Sequence, residues 1–107
     1  MYKVMIMKIP LKDKVKIFKA LSDENRLRIL KKVKFEEFCL GTLAKEFGLS
    51  ASVASHHLKA LEEAGLVHKR KDGRYVVFKI NKQRFKDLLE DMFEYLINED
   101  SEEEEGG

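Results

Sequence analysis

Between Leu40 and Val67 the chain reads LGTLAKEFGLSASVASHHLKALEEAGLV, and this stretch restricts the fold more than any other. Gly48 divides it into two helical segments of unequal length, because glycine accepts the backbone angles that end a helix. The spacing predicts a short helix over 42–47, with Leu43, Ala44 and Phe47 on one face. Ser50 suits the N-cap of a second helix that runs from Ala51 to Ala64 and stops at Gly65. Along it Ala54, His57, Leu58, Leu61 and Ala64 recur at spacings of three and four, which assigns them to the core. Ser52, Ser55, His56 and Lys59 fall on the opposite side, a small, polar and weakly cationic face. Two helices joined by a tight glycine turn, the second offering short hydrogen-bonding side chains, describe a helix-turn-helix with its reading helix.

Downstream, a short strand over 66–70 and a return strand over 75–80 flank Lys71-Asp72-Gly73-Arg74. Asp-Gly between two β-prone runs signals a hairpin. Val76, Phe78 and Ile80 alternate with Tyr75, Val77 and Lys79. Arg70, Lys71 and Arg74 concentrate positive charge at the tip with no apolar purpose, as a DNA-contacting wing would. The fold class expected is mainly α with a small β-hairpin: a winged helix-turn-helix of about five helices plus a two-stranded wing.

Upstream, the periodicity predicts a helix over 11–21, with Leu11, Val15, Phe18 and Leu21 on one face and Lys12, Lys16 and Lys19 on the other. Ser22-Asp23 caps a helix over 24–33 whose core candidates are Leu27, Ile29, Leu30 and Val33, while Arg26 and Arg28 cover apolar surface with their stems. Phe35 to Cys39 reads as a link. Asn81 can cap a final helix over 82–97 whose apolar stripe, Phe85, Leu88, Leu89, Met92, Phe93, Leu96 and Ile97, is wider than so small a core needs. The opening run MYKVMIMKI is apolar and is expected to pack on the body or on a second subunit.

Charge bears on the partner. The 107 residues carry a formal charge of +2, but residues 98–107 hold six acids and no bases, so residues 1–97 stand at +8. A body this basic suits nucleic acid. Residues 1–97 are expected to form the winged-helix domain with its dimerisation helices, and residues 98–107 an acidic disordered tail, having nothing to bury. One cysteine excludes an intramolecular disulfide. No run approaches the ~20 apolar residues of a membrane span, and no signal peptide is evident, so a cytoplasmic protein without a membrane partner is expected.

The run GLSASVASHHLKALEEAGLVHKRKDGRYVVFKI resembles the winged helix-turn-helix of the ArsR/SmtB family of bacterial and archaeal repressors. ALSDENRLRIL resembles that family's opening helix-turn signature, and the similarity extends over roughly residues 11–97. The resemblance implies a homodimeric repressor that binds a roughly palindromic double-stranded DNA operator through two reading helices. Ser50, Ser52, Val53, Ser55, His56, Lys59, Arg70, Lys71 and Arg74 are the DNA-binding candidates. Hydroxyls and imidazole can reach base edges, Val53 a thymine methyl, and the cations phosphate. The first and last helices would form the dimer interface through Val15, Phe18, Phe85, Leu89, Met92, Phe93 and Leu96. A winged-helix protein-interaction module without DNA function is the alternative.

Metal-sensing members of that family carry a Cys-x-Cys motif at the start of the third helix, written like ELCVCDL. Here the segment is EFCLGTL: Cys39 stands at the first position and Gly41 at the second. The last helix, the family's other common metal site, has no histidine. His56 and His57 point about 100° apart and cannot chelate one ion together. A soft-metal site needs converging thiolates or imidazoles, so no metal and no cofactor are expected. Cys39 is then either an inert buried thiol, with burial between Phe38 and Leu40 raising its pKa, or a possible redox thiol. No phosphate loop, paired carboxylates or Ser-His-Asp set points to an enzyme.

Overall fold

The computed structural model describes residues 3–5, 7–99 and 101–103. Its elements follow as β1 (Lys3–Met5), α1 (Leu11–Leu21), α2 (Glu24–Val33), β2 (Phe38–Cys39), α3 (Leu40–Glu46), α4 (Ala51–Glu63), β3 (Val67–Asp72), β4 (Tyr75–Ile80), α5 (Lys82–Leu96) and β5 (Ser101–Glu103). Asp23 accepts the Arg26 N–H at 3.1 Å, Ser50 the Val53 N–H at 3.1 Å and Asn81 the Arg84 N–H at 3.3 Å, so three of the five helices start on a side-chain cap. The core is built from Ile17, Ile29, Leu43, Leu58, Leu61 and Leu66, each at most 1% exposed. It lies where α1, α2 and α4 meet beneath the sheet.

The strands add to the expected fold at one place and depart from it at two. The β3–β4 hairpin is the expected two-stranded wing, and β2 adds a third strand to its sheet: it pairs antiparallel with β4, Phe38 opposite Phe78 and Cys39 opposite Val77, giving the order β2-β4-β3. A two-residue strand inside a link has no periodicity to betray it. The hairpin turn also moves along by one residue. Asp72 pairs with Tyr75, so Gly73 (φ +62°) and Arg74 form the turn, with glycine at the left-handed position. The acidic run, expected to be disordered, contains β5, paired in parallel with β1 from Lys3↔Ser101 to Met5↔Glu103. Ladder hydrogen bonds come from the backbone and need no apolar side chain from the tail. The rest of the apolar opening run and of the acidic tail, residues 1–2, 6, 100 and 104–107, lies outside the described residues.

Helix α1 leaves Val15 and Phe18, expected at the dimer interface, on the surface of the single chain. Its buried residues are Lys14, Ile17 and Ala20, whereas Val15 and Phe18 are 47% and 45% exposed. An ion pair holds Lys14 inside. Lys14 Nζ lies 3.1 Å from Asp91 Oδ2 on α5 and donates to the Ile9 carbonyl at 2.6 Å. Asp91 also accepts the backbone N–H of Lys8 at 3.1 Å and of Ile9 at 2.8 Å. Burial pushes the Asp91 carboxyl upward, but those two N–H donors and the Lys14 ammonium outweigh it and hold it below the usual carboxylate value. With its charge matched, Lys14 takes a core position and Lys14, Ile17 and Ala20 face inward. Leu27, expected in the core, is 51% exposed because α2 buries Ile29, Leu30 and Val33 instead.

Candidate nucleic-acid interface

Helix α4 is held by its buried face and presents the other. Ala54, His57, Leu58 and Leu61 are buried, while Ser52, Val53, Ser55, His56 and Lys59 are exposed. Gly48, at φ +64°, takes the left-handed turn between α3 and α4, where a side chain would strain the backbone. Sequence spacing alone assigns these faces correctly, because a helix cannot show both.

Two devices that spacing misses set where α4 lies. Arg26 Nε on α2 donates to His57 Nδ1 at 3.1 Å, and Asp23 Oδ1 is 3.9 Å from the same nitrogen. Arg26, expected only to cover apolar surface, thus hydrogen-bonds the back of the reading helix. An Asp-x-x-Arg pair opposite a histidine on an apolar stripe was the available signal. At the other end, Gly65 (φ +76°) closes α4, and a Cβ there would come within 2.9 Å of Arg84 Nε. Asn81 Nδ2 donates to the Gly65 carbonyl at 2.9 Å and the Asn81 N–H to Leu66 at 2.8 Å. The end of the reading helix is thereby tied to the start of α5.

The cations are not equivalent. Arg70 makes a two-point ion pair with Glu37, Nε to Oε2 at 2.8 Å and Nη2 to Oε1 at 3.0 Å, which holds the Glu37 carboxyl below its usual value. That guanidinium, expected to face phosphate, has its charge matched within the chain. Lys59 lies 4.0 Å from Glu63. Lys71 is exposed at the hairpin end and forms no ion pair with another described residue. Arg74 stacks over the Tyr75 ring at 5.7 Å, leaving its donors to solvent. Ser50 is exposed but uses its oxygen as the α4 cap.

On the far side, Leu89, Phe93, Leu96 and Ile97 of α5 are 69%, 52%, 69% and 64% exposed. Phe85 and Met92, expected beside them, are partly buried and pack against the core. Val15 and Phe18 complete the exposed apolar set from α1, which the Lys14–Asp91 pair ties to α5.

Cys39 is half-buried at the N-cap of α3, with Thr42 Oγ1 3.1 Å from its sulfur. The Thr42 hydroxyl and N–H hold the thiol below its ordinary pKa and outweigh burial, contrary to the sequence expectation. Helix-start donors reach the sulfur, and its burial is too shallow to offset them. Gly41 stands at the second position of the Cys-x-Cys pattern, and no group of three or more metal-ligating side chains of one chain occurs among the described residues.

The profile of the family described as "Bacterial regulatory protein, arsR family" matches residues 23–69. A cadmium resistance transcriptional regulatory protein, a CadC homologue of Staphylococcus aureus, is 37% identical over 82 residues, which cover 76% of this chain and 68% of that protein. An arsenical resistance operon repressor of the same species is 36% identical over 76 residues, covering 71% and 73%. The chain spans between 62% and 68% of the length of the cadmium-resistance regulators it matches. Among solved structures, a homodimeric winged helix-turn-helix DNA-binding domain from Mycobacterium bovis superposes with a TM-score of 0.68 at 24% identity, covering 82% of this chain and 84% of that one.

Proposed function

This chain belongs to the arsR family of bacterial regulatory proteins, DNA-binding transcription regulators rather than enzymes, and from that premise we propose that it is a homodimeric repressor of a palindromic operator, unresponsive to thiophilic metals. The observation that carries the DNA reading is the two-faced helix α4, buried through Ala54, His57, Leu58 and Leu61 and open through Ser52, Ser55 and His56. Val53 and Lys59 flank that face, Ser50 opens it, and Lys71 and Arg74 carry charge at the wing. Arg70 contributes less than those two, since Glu37 already occupies it. The homodimeric M. bovis neighbour and the exposed apolar rows of α1 and α5 support a dimer, and the arsenical operon repressor supports repression.

Band shifts with salt titration on the protein's own promoter DNA test this. Ser55→Ala or His56→Ala is expected to cost ~1–3 kcal/mol and blur specificity at a few base pairs. Lys71→Ala or Arg74→Ala weakens all sequences alike and flattens the salt slope by about one per lost phosphate contact. Wing variants that keep full non-specific affinity overturn the hairpin assignment, and a wild-type protein that shifts no DNA at low salt favours the interaction-module alternative.

Insensitivity to metal follows from one thiol per chain. Zinc, cadmium or arsenite at low micromolar concentration should leave operator affinity unchanged, in wild type and in Cys39→Ser alike. Metal-driven release abolished by Cys39→Ser contradicts this. The lowered Cys39 thiol pKa favours one second reading, a peroxide- or diamide-responsive regulator, because the thiolate is the reactive form. Oxidant-driven release that requires Cys39 would establish it.

A further inference from the structure

The geometry points to a binding site for a small phosphorylated molecule carrying a flat ring, the chemistry of a mononucleotide, in the cleft at the foot of the wing. This cleft, about 670 Å³, lies between the α2–β2 connection, the base of the β3–β4 hairpin and the first turn of α5. The volume falls within the range of ordinary small-molecule sites. Its ionisable lining is Lys34, His68, Lys79 and Lys82 against Glu36 and Glu37. Glu37 is held by Arg70 from outside the lining and its carboxyl is also lowered by Lys79, so three lysines stand against two carboxylates.

Positive charge gathers on this cleft. His68 sits directly opposite Lys79 in the strand ladder, and Lys34, Lys79 and Lys82 form no ion pair with another described residue. Lys82 is also the first residue of α5, whose opening turn contains no acid. A cation at the positive end of a helix destabilises a free chain. A phosphate among these lysines reverses the sign of that interaction.

The second requirement is a surface for the ring. Phe35 is 79% exposed and forms part of the cleft wall, with Lys34 Nζ 4.6 Å from its ring centre. Val33 and Ile80 add apolar lining on the same cleft. An aromatic face beside cations accepts a stacked base and its phosphate together.

Two sources supply that chemistry, a free nucleotide or a DNA strand. The His68–Lys79 pair lies four ladder steps from the Asp72–Tyr75 pair at the turn, roughly 13 Å along the strands. That distance from the wing tip favours the free molecule.

Calorimetric titration of the full chain with ADP, adenosine and inorganic phosphate tests the assignment. ADP should bind more tightly than either fragment. Lys79→Ala/Lys82→Ala should weaken ADP by about tenfold or more, one charge-assisted contact apiece. Phe35→Ala should weaken it by about fivefold, with little change for inorganic phosphate. Every one of these side chains is at the surface, and an unchanged thermal midpoint by circular dichroism confirms an intact fold. Absence of ADP binding at about 1 mM, equal binding of ADP and inorganic phosphate, or unchanged binding by the double variant would each overturn the site. A further arm measures DNA affinity against salt with no nucleotide present. If the double variant loses affinity and salt slope there, the phosphate belongs to DNA and the small-molecule assignment fails.

Discussion

Phe93→Glu, or Leu89→Glu, is expected to sediment as a monomer at micromolar concentration and to hold only a single operator half-site weakly. Both side chains point out of the single chain, at 52% and 69% exposure, so a glutamate at either position leaves the chain's own core intact. In a dimer that buries α5 against its counterpart, the same glutamate is an unpaired charge in an apolar contact. That costs on the order of 3–5 kcal/mol. Half-sites one helical turn apart, ~34 Å, are then no longer held in register. Leu88→Glu provides the contrast: Leu88 is 4% exposed, and that change should unfold the chain rather than separate it. A wild-type protein that sediments as a monomer, or a Phe93→Glu protein that remains dimeric, contradicts the interface.

The second large effect concerns Asp91. Asp91→Asn should destabilise the fold by about 3–5 kcal/mol near neutral pH, because it leaves the Lys14 ammonium buried without its counter-charge. An amide also turns N–H groups toward the donors of Lys8, Ile9 or Lys14, which the carboxylate accepts. The pH dependence has a definite sign. The folded carboxyl lies below its ordinary value, so its contribution is complete above the unfolded pKa of about 4 and fades as pH falls through the folded value. Urea unfolding at fixed protein concentration should therefore show a wide gap between wild type and Asp91→Asn from pH 7 down to 5. The gap should narrow below about pH 4. A gap that stays constant into that acid range means the carboxylate charge is not what stabilises this junction. Replacing both partners with apolar residues should not recover wild-type stability, since the N–H groups of Lys8 and Ile9 would lose their acceptor.

The helix-turn-helix was legible because it is local. Ser50, the glycine turn and the three-four spacing of Ala54, His57, Leu58 and Leu61 fix both the start of α4 and its buried face, and the exposed Ser52, Ser55 and His56 follow. The limits of α1, α2 and β4 coincide with those expected, since caps and alternation are likewise short-range. Charge and the cationic hairpin already pointed to nucleic acid, and the family resemblance implied the operator and a dimer through α1 and α5.

What the tertiary structure alone decided involves groups far apart in the chain. Asp91 lies 82 and 83 positions from Ile9 and Lys8, and no pattern within either helix announces the pair that buries Lys14. Arg70 reads as a phosphate contact until Glu37, 33 positions away, is found beside it. Phe38 and Cys39 become a strand only because β4 offers them a free edge. Cys39 illustrates the reason most directly. Its apolar neighbours argue for burial and a raised pKa, yet the depth of burial and the aim of the Thr42 hydroxyl decide the balance. Periodicity records which face a residue occupies. Whether a charge or thiol on that face is matched depends on where another part of the chain places its partner.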